Sequence, residues 1–258
     1  MNFSDRLQIV QESTHSCLLL SITPPIETLE QLKTLYQYIE QKIDTSKNYI
    51  CGVSLKMAYF EYFGGAGIES LSEMIRHIHS FGLIVVLDEQ KSLTGKAATL
   101  AAERLFSENQ LNADAVTLNP YLGSDAIVPF IENATINSSG IFIITRTANP
   151  SAKEFQESED LAIRMAEKIE EWNIATQSEK NLFSSVGAVV TATEPGALKF
   201  FREELPHTWI LATGMTQPDQ ISDALKIQRN GLGLLIELDD EHFKDVEDIQ
   251  IWYEAQKN

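Results

Sequence analysis

Asp88 closes a run of branched apolar residues, Leu83 to Leu87, and Gln90 follows two positions later. A carboxylate at the end of a buried strand can orient a ligand, take a proton or hold a cation. Residues i and i+2 of an extended strand share a face, so Gln90 is expected to look the same way as Asp88. Its amide can hydrogen-bond but carries no charge and gives up no proton. Lys91 and Glu89 fall on the opposite face by the same alternation. Lys56, placed beyond the end of an earlier apolar run, is the other nearby ammonium and reads as solvated. A structural role for Asp88, capping the following helix or pairing with an arginine, stays open beside the functional one. A second acidic group, Glu237, Asp239, Asp240 and Glu241, could attract a divalent cation. No converging ligand set accompanies it, so a solvated acidic turn is expected, and no metal. His15, His77, His79, His207 and His242 show no ligand spacing. His77 and His79 cannot share a helix face and read as surface residues.

Positioning these groups requires strands and helices in alternation. Apolar runs at residues 17–22, 50–55, 83–88, 113–118, 140–145, 186–191, 209–212 and 232–237 read as strands. Helical patterns are expected at 26–42, 68–80, 96–107, 125–131, 157–173, 196–203, 217–228 and 241–255. Eight strand–helix pairs predict an α/β protein of the closed (β/α)8 TIM-barrel kind, one domain over residues 1–258. The strands are continuous Val/Ile/Leu runs, as expected where both faces are covered. With 37 acidic against 20 basic residues the formal net charge is -17, which disfavours nucleic acid and anionic membrane as partners. Cys17 and Cys51 lie beside apolar runs and read as buried free thiols of a reducing compartment. No signal-peptide pattern or apolar run long enough for a membrane helix is present, so a cytoplasmic protein is expected.

Several blocks, in order, resemble the longer, bacterial-type branch of the orotidine 5'-phosphate (OMP) decarboxylases. They are Phe3, Asp5, Arg6 and Leu7; Ala58, Tyr59, Phe60 and Glu61 with Gly64, Ala66 and Gly67; and the run from Ala113 to Gly123. Arg146, Thr147, Ala148, Asn149 and Pro150, then Val186 to Val190, continue the likeness. The resemblance implies a TIM barrel, a small-molecule site at its mouth, no cofactor and a homodimer. It also implies a Lys-Asp-Lys-Asp array in which carboxylates crowd the substrate carboxylate and a lysine protonates the carbon left behind. Here the array reads Ser54, Asp88, Gln90 and Leu93, so Asp88 alone retains its charge. Thr23 stands where the family has a ribose-binding aspartate, and Ala148 where it has a pyrimidine-reading serine. Asp239 and Asp240 stand near the expected phosphate-binding arginine. Asp88, with Lys91 as the nearest substitute cation, is therefore the expected catalytic position. Thr23, Ser54, Gln90, Asn119, Arg146, Thr147, Thr213 and Gln217 are the expected ligand contacts. Gln217 serves equally as a helix cap, and Arg146, Thr147 and Asn149 as a loop-holding network. The helix carrying Ala97, Ala98, Ala101 and Ala102 is expected to pack closely, at the dimer interface. The functional expectation is a divergent member that no longer decarboxylates OMP and serves as a binding or interaction module. The alternatives are a repurposed lyase using Asp88 on a non-phosphorylated substrate, and a genuine OMP decarboxylase with a shifted catalytic lysine.

Overall fold

The computed structural model describes all residues except Ser158, Asn230, Phe243, Lys244 and Asn258, and omits the side chains of Glu159, Asp160, Pro195 and His242. Eight strands form where the apolar runs predict them: β1 (Leu18–Ile22), β2 (Gly52–Lys56), β3 (Ile84–Asp88), β4 (Ala115–Leu118), β5 (Gly140–Arg146), β6 (Val186–Thr191), β7 (Ile210–Thr213) and β8 (Leu234–Asp239). Each pairs in parallel with the next, and β8 returns to β1, closing the barrel. The helices are α1 (Phe3–Thr14), α2 (Leu32–Ser46), α3 (Met57–Glu61), α4 (Gly64–His79), α5 (Gly95–Phe106) and α6 (Ser124–Asn137). They continue as α7 (Lys153–Gln156), α8 (Glu159–Asn173), α9 (Pro195–Glu204), α10 (Asp219–Leu225) and α11 (Val246–Ala255). Parts of the helices expected at 157–173 and 241–255, at Ser158, Phe243 and Lys244, lie outside the described residues.

Two differences from the sequence reading matter. The polar-looking N-terminus is a helix: Asn2 caps α1 in a reciprocal box with Asp5, and Phe3 and Leu7 are fully buried. They plug the N-terminal end of the barrel against Leu19, Phe142, Trp209 and Leu235, with Phe3 edge-on to Phe142 at 6.1 Å. Gly140 is required there, because a Cβ would sit 2.2 Å from the Phe3 ring. The second difference is register. β8 starts two residues later than the apolar run suggests and extends to Asp239. Gly233 explains the delay: its φ is +94°, and a side chain would strike the Phe183 ring at 2.5 Å. The later end carries Leu238 and Asp239 into the strand, beyond the expected end at Glu237.

The opposite strand faces pack against the helices in one continuous apolar shell. Ala98 and Ala102 of α5 are buried in that shell, and α5 packs against α6, so their close packing is met within the chain. Cys17 and Cys51 are buried and free, and burial pushes the Cys17 thiol up to about 12. Among the described residues no helix is long and apolar enough to cross a membrane.

Candidate active site at the barrel mouth

Asp88, Arg146 and Thr213 end β3, β5 and β7, and Asn119 follows β4, so all four lie at the C-terminal rim. Alternation directs Ser54 and Lys56 of β2 inward, and Leu235, Glu237 and Asp239 of β8 likewise. Leu19 of β1 pairs with Glu237, and Ser21 with Asp239 on one side and Ser54 on the other. The mouth is thus assembled from neighbouring strands β8, β1, β2 and β3.

The Asp88 carboxylate takes hydrogen bonds from Gln90 Nε2, 2.8 Å to each oxygen, and from Thr117 Oγ1 at 2.6 Å. β3 ends at Asp88, and Gln90 is brought back by a turn, with left-handed backbone at φ 51° held by its N–H to Thr117 O. The expected juxtaposition of Asp88 and Gln90 is present, but a strained turn creates it and not strand alternation. No arginine pairs with Asp88 among the described residues, and it caps no helix: Thr94 occupies the N-cap of α5.

The lysines behave differently from each other. Lys91 turns away from the mouth and pairs with Glu61 and Glu89, which leaves it unavailable as a substitute cation in this arrangement. Lys56 enters the mouth, contrary to the expectation of a solvated place beyond the strand. It is the last residue of β2, and its Nζ donates to Thr23 Oγ1 at 2.7 Å and lies 3.6 Å from Asp239. Its inward direction is that of Ser54, two residues earlier on the same face.

The solvated acidic turn is also corrected. Asp240 is buried, accepting from Thr23 N at 2.9 Å and Tyr38 OH at 2.7 Å, with Lys42 Nζ 3.8 Å away. Glu237 is part-exposed inside the mouth. Burial, then the Asp88 and Asp239 charges, push its carboxyl up to about 7, against the opposing influence of Ser54 and Lys56. Glu237 was absent from the expected ligand contacts, although its i+2 spacing from Leu235 and to Asp239 was a readable signal. The buried hydroxyl of Ser21 has no hydrogen-bond partner, and that of Ser54 makes none of ordinary length although it faces the Glu237 carboxyl.

The remaining expected contacts serve the loops. Arg146 is buried; its Nε and Nη2 engage Glu194 at 2.9–3.1 Å, and Nη2 reaches Glu157 at 3.2 Å. Burial opposes the charge, but Glu194 and Glu157 outweigh it and keep the guanidinium protonated. Gln156 and Asn149 bind Thr147 Oγ1, the latter at 2.6 Å, and Asn119 Oδ1 accepts from Tyr121 N at 3.0 Å. Gln217 is exposed, and the cap before α10 comes from Gln220 Oε1, which accepts from Thr216 N and Gln217 N. Leu93 is part-buried against the chain's own core. His79 is no free surface residue: its Nε2 lies 2.8 Å from Asp114, at the opposite end of the barrel. Among the described residues no group of three His, Cys, Asp or Glu is arranged to hold a metal ion.

A closed parallel barrel with ionisable side chains on its C-terminal strand ends defines a TIM-barrel protein with a candidate site at its mouth. The profile of the "Orotidine 5'-phosphate decarboxylase / HUMPS family" matches residues 31–240. The chain is 31% identical to an orotidine 5'-phosphate decarboxylase of Caldicellulosiruptor bescii, over 92% of this chain and 87% of that protein. It is 31% identical to one of Rhodopirellula baltica over 78% of this chain and 70% of that protein. The solved structure of Leishmania donovani OMP decarboxylase superposes with a TM-score of 0.84 at 27% identity, covering 100% of this chain and 98% of that one. The chain belongs to the orotidine 5'-phosphate decarboxylase / HUMPS family.

Proposed function

We propose that this chain is a family member that binds a small molecule at its barrel mouth and has lost OMP decarboxylation. The observation that carries the reading is the environment of Asp88: the groups that contact it are a neutral amide and a neutral hydroxyl. Decarboxylation without a cofactor leaves negative charge on carbon, which needs a fixed cation and a proton donor in a dry pocket. Gln90 and Ser54 supply neither, and Lys56 is engaged by Thr23 and Asp239. Phosphate is disfavoured as well, since Asp239 and Glu237 line the β8 side and Arg146 is already taken by two glutamates.

A direct assay of OMP loss, with an active family member as control, tests this. No turnover is expected, and UMP binds poorly. Turnover on the order of 1 s⁻¹ would sink the reading and identify Lys56 as the proton donor. One observation favours a second reading, a lyase for a non-phosphorylated substrate: Glu237, pushed up to about 7, lies close to Lys56 and Asp88 and could exchange protons at neutral pH. We also propose a cytoplasmic homodimer joined at the barrel mouths, where Tyr121 and Leu122 are exposed. Light scattering showing only monomer at micromolar concentration would reject that association.

A further inference from the structure

We propose that the part of the mouth bounded by Ser54, Asp88, Glu237 and Asp239 is a subsite for the protonated primary amine of a small organic molecule. This rests on the reading that the mouth binds a small molecule, and it is independent of whether OMP is turned over. Three carboxylates from β3 and β8 face this region, and one ammonium, Lys56, is already held by Thr23 and Asp239. The local balance is therefore negative, and the net charge of -17 draws cations towards the surface.

The second observation is independent of the carboxylates. Ser54 is 1% exposed; its hydroxyl makes no hydrogen bond of ordinary length, and it faces the Glu237 carboxyl, whose ionised form it favours. Ser21, paired with Ser54 across β1 and β2, is equally buried and unpartnered. Buried hydroxyls left unsatisfied are costly and point to a missing partner. An ammonium has three donors and no acceptor, which suits two carboxylates and a serine oxygen. A carboxylate or phosphate would add like charge. A neutral hydroxyl could meet Ser54 but would leave the crowded carboxylates uncompensated. A divalent cation needs several oxygens converging at about 2.0–2.6 Å, and no such set is present among the described residues.

The groups facing Glu237 are Asp88 from β3, Ser54 and Lys56 from β2, Asp239 on its own strand, and the apolar Leu19 paired with it from β1. A bound ammonium favours ionised Glu237, so binding strengthens as pH rises through about 7 and weakens below it.

The test is titration calorimetry of the full chain with 1,4-diaminobutane, and with 1,4-butanediol and butyrate as uncharged and anionic comparators. Expected at pH 8 is saturable diamine binding with Kd on the order of 1 mM, at least about tenfold tighter than either comparator. The affinity should fall about tenfold by pH 5.5. Glu237→Gln, a near-isosteric change, should lose about tenfold at pH 8, with folding checked by circular dichroism. Ser54→Lys, which tethers an ammonium in the same space, should abolish diamine binding. Equal binding of diamine and diol, absence of saturation, or unchanged affinity in Glu237→Gln would each overturn the proposal. Diamine binding together with OMP turnover would leave the subsite standing and remove only the loss of decarboxylation.

Discussion

The two ends of the barrel treat buried polar groups in opposite ways. At the N-terminal end, Trp209 Nε1 donates to Ser4 Oγ at 2.8 Å, Ser178 Oγ to Asp5 at 2.5 Å, and Arg202 spreads its guanidinium over the carbonyls of Leu205, Thr208 and Gly233. Asp114 there collects Arg6, His79 and the Val85 N–H. The orphans at that end include Arg6 Nε, Arg202 Nε and Asn173 Oδ1, each on a side chain bound through another atom, and His77 Nε2. At the mouth, two serine hydroxyls make no hydrogen bond of ordinary length, Arg146 Nη1 has no partner, and one glutamate is pushed out of the carboxylate range by burial and then by neighbouring charge. One end is closed by satisfied contacts that favour stability. The other keeps unmet hydrogen bonding and crowded like charge, features that support the proposed ligand site.

That contrast can be broken by mutation. Phe3→Ala removes the plug ring from the closed end and should destabilise the fold by about 3–5 kcal/mol, read by denaturant unfolding. If the chain still folds, diamine affinity at the mouth should be unchanged. A loss of binding at native temperature would show that the two ends are coupled.

Glu237→Gln should act in the opposite direction. A carboxyl whose folded value is raised binds its proton more tightly in the native state, so its stabilising contribution is complete below about pH 4.5 and is lost as pH rises through about 7. The variant is therefore expected to be more stable than the parent by roughly 2–3 kcal/mol at pH 8 and equal to it near pH 4. Thermal unfolding across pH measures this, and a pH-independent difference would remove the crowded-carboxylate account of the mouth.

Lys56→Met breaks a part-exposed ion pair and should cost less than about 1 kcal/mol. Its sharper readout is the titration of Glu237 by carboxyl carbon NMR. The ammonium favours ionised Glu237, so its loss should move that carboxyl further up. The smallest expected effect is that of Gln90→Lys on OMP turnover, which should stay undetectable. A lysine at 90 would meet Asp88, but Ser54, Leu93 and the acidic β8 side remain as they are. Restored turnover would show that a single cation suffices.

Eight strands were legible because each is a run of branched apolar side chains covered on both faces, which leaves a continuous signal. Asp88, Arg146 and Thr213 were placed at the rim by the same runs. α1 was not, because its apolar residues are few and their burial depends on the barrel opening they fill. Lys56 was missed because one residue at a strand end decides whether a side chain belongs to the strand, and boundaries are the least legible feature of a sequence. Glu237 lay inside the expected strand, but its burial and its neighbours from β2 and β3 follow only from barrel closure.

By itself the sequence determined the barrel, the uncharged side chains at Ser54, Gln90 and Leu93, and the acidic balance, since these follow from residue types and their order. Tertiary structure decided which charges meet. Glycines before β8 delayed its start, the strand ran on to Asp239, and a left-handed turn folded Gln90 back onto Asp88. Strand closure set Lys56 against Thr23 and Asp239 while Lys91 left for Glu61. Those outcomes depend on distances between segments up to about two hundred positions apart, as between Lys56 and Asp239. Coulomb and hydrogen-bond energies change over single ångströms, and only the closed barrel sets those distances.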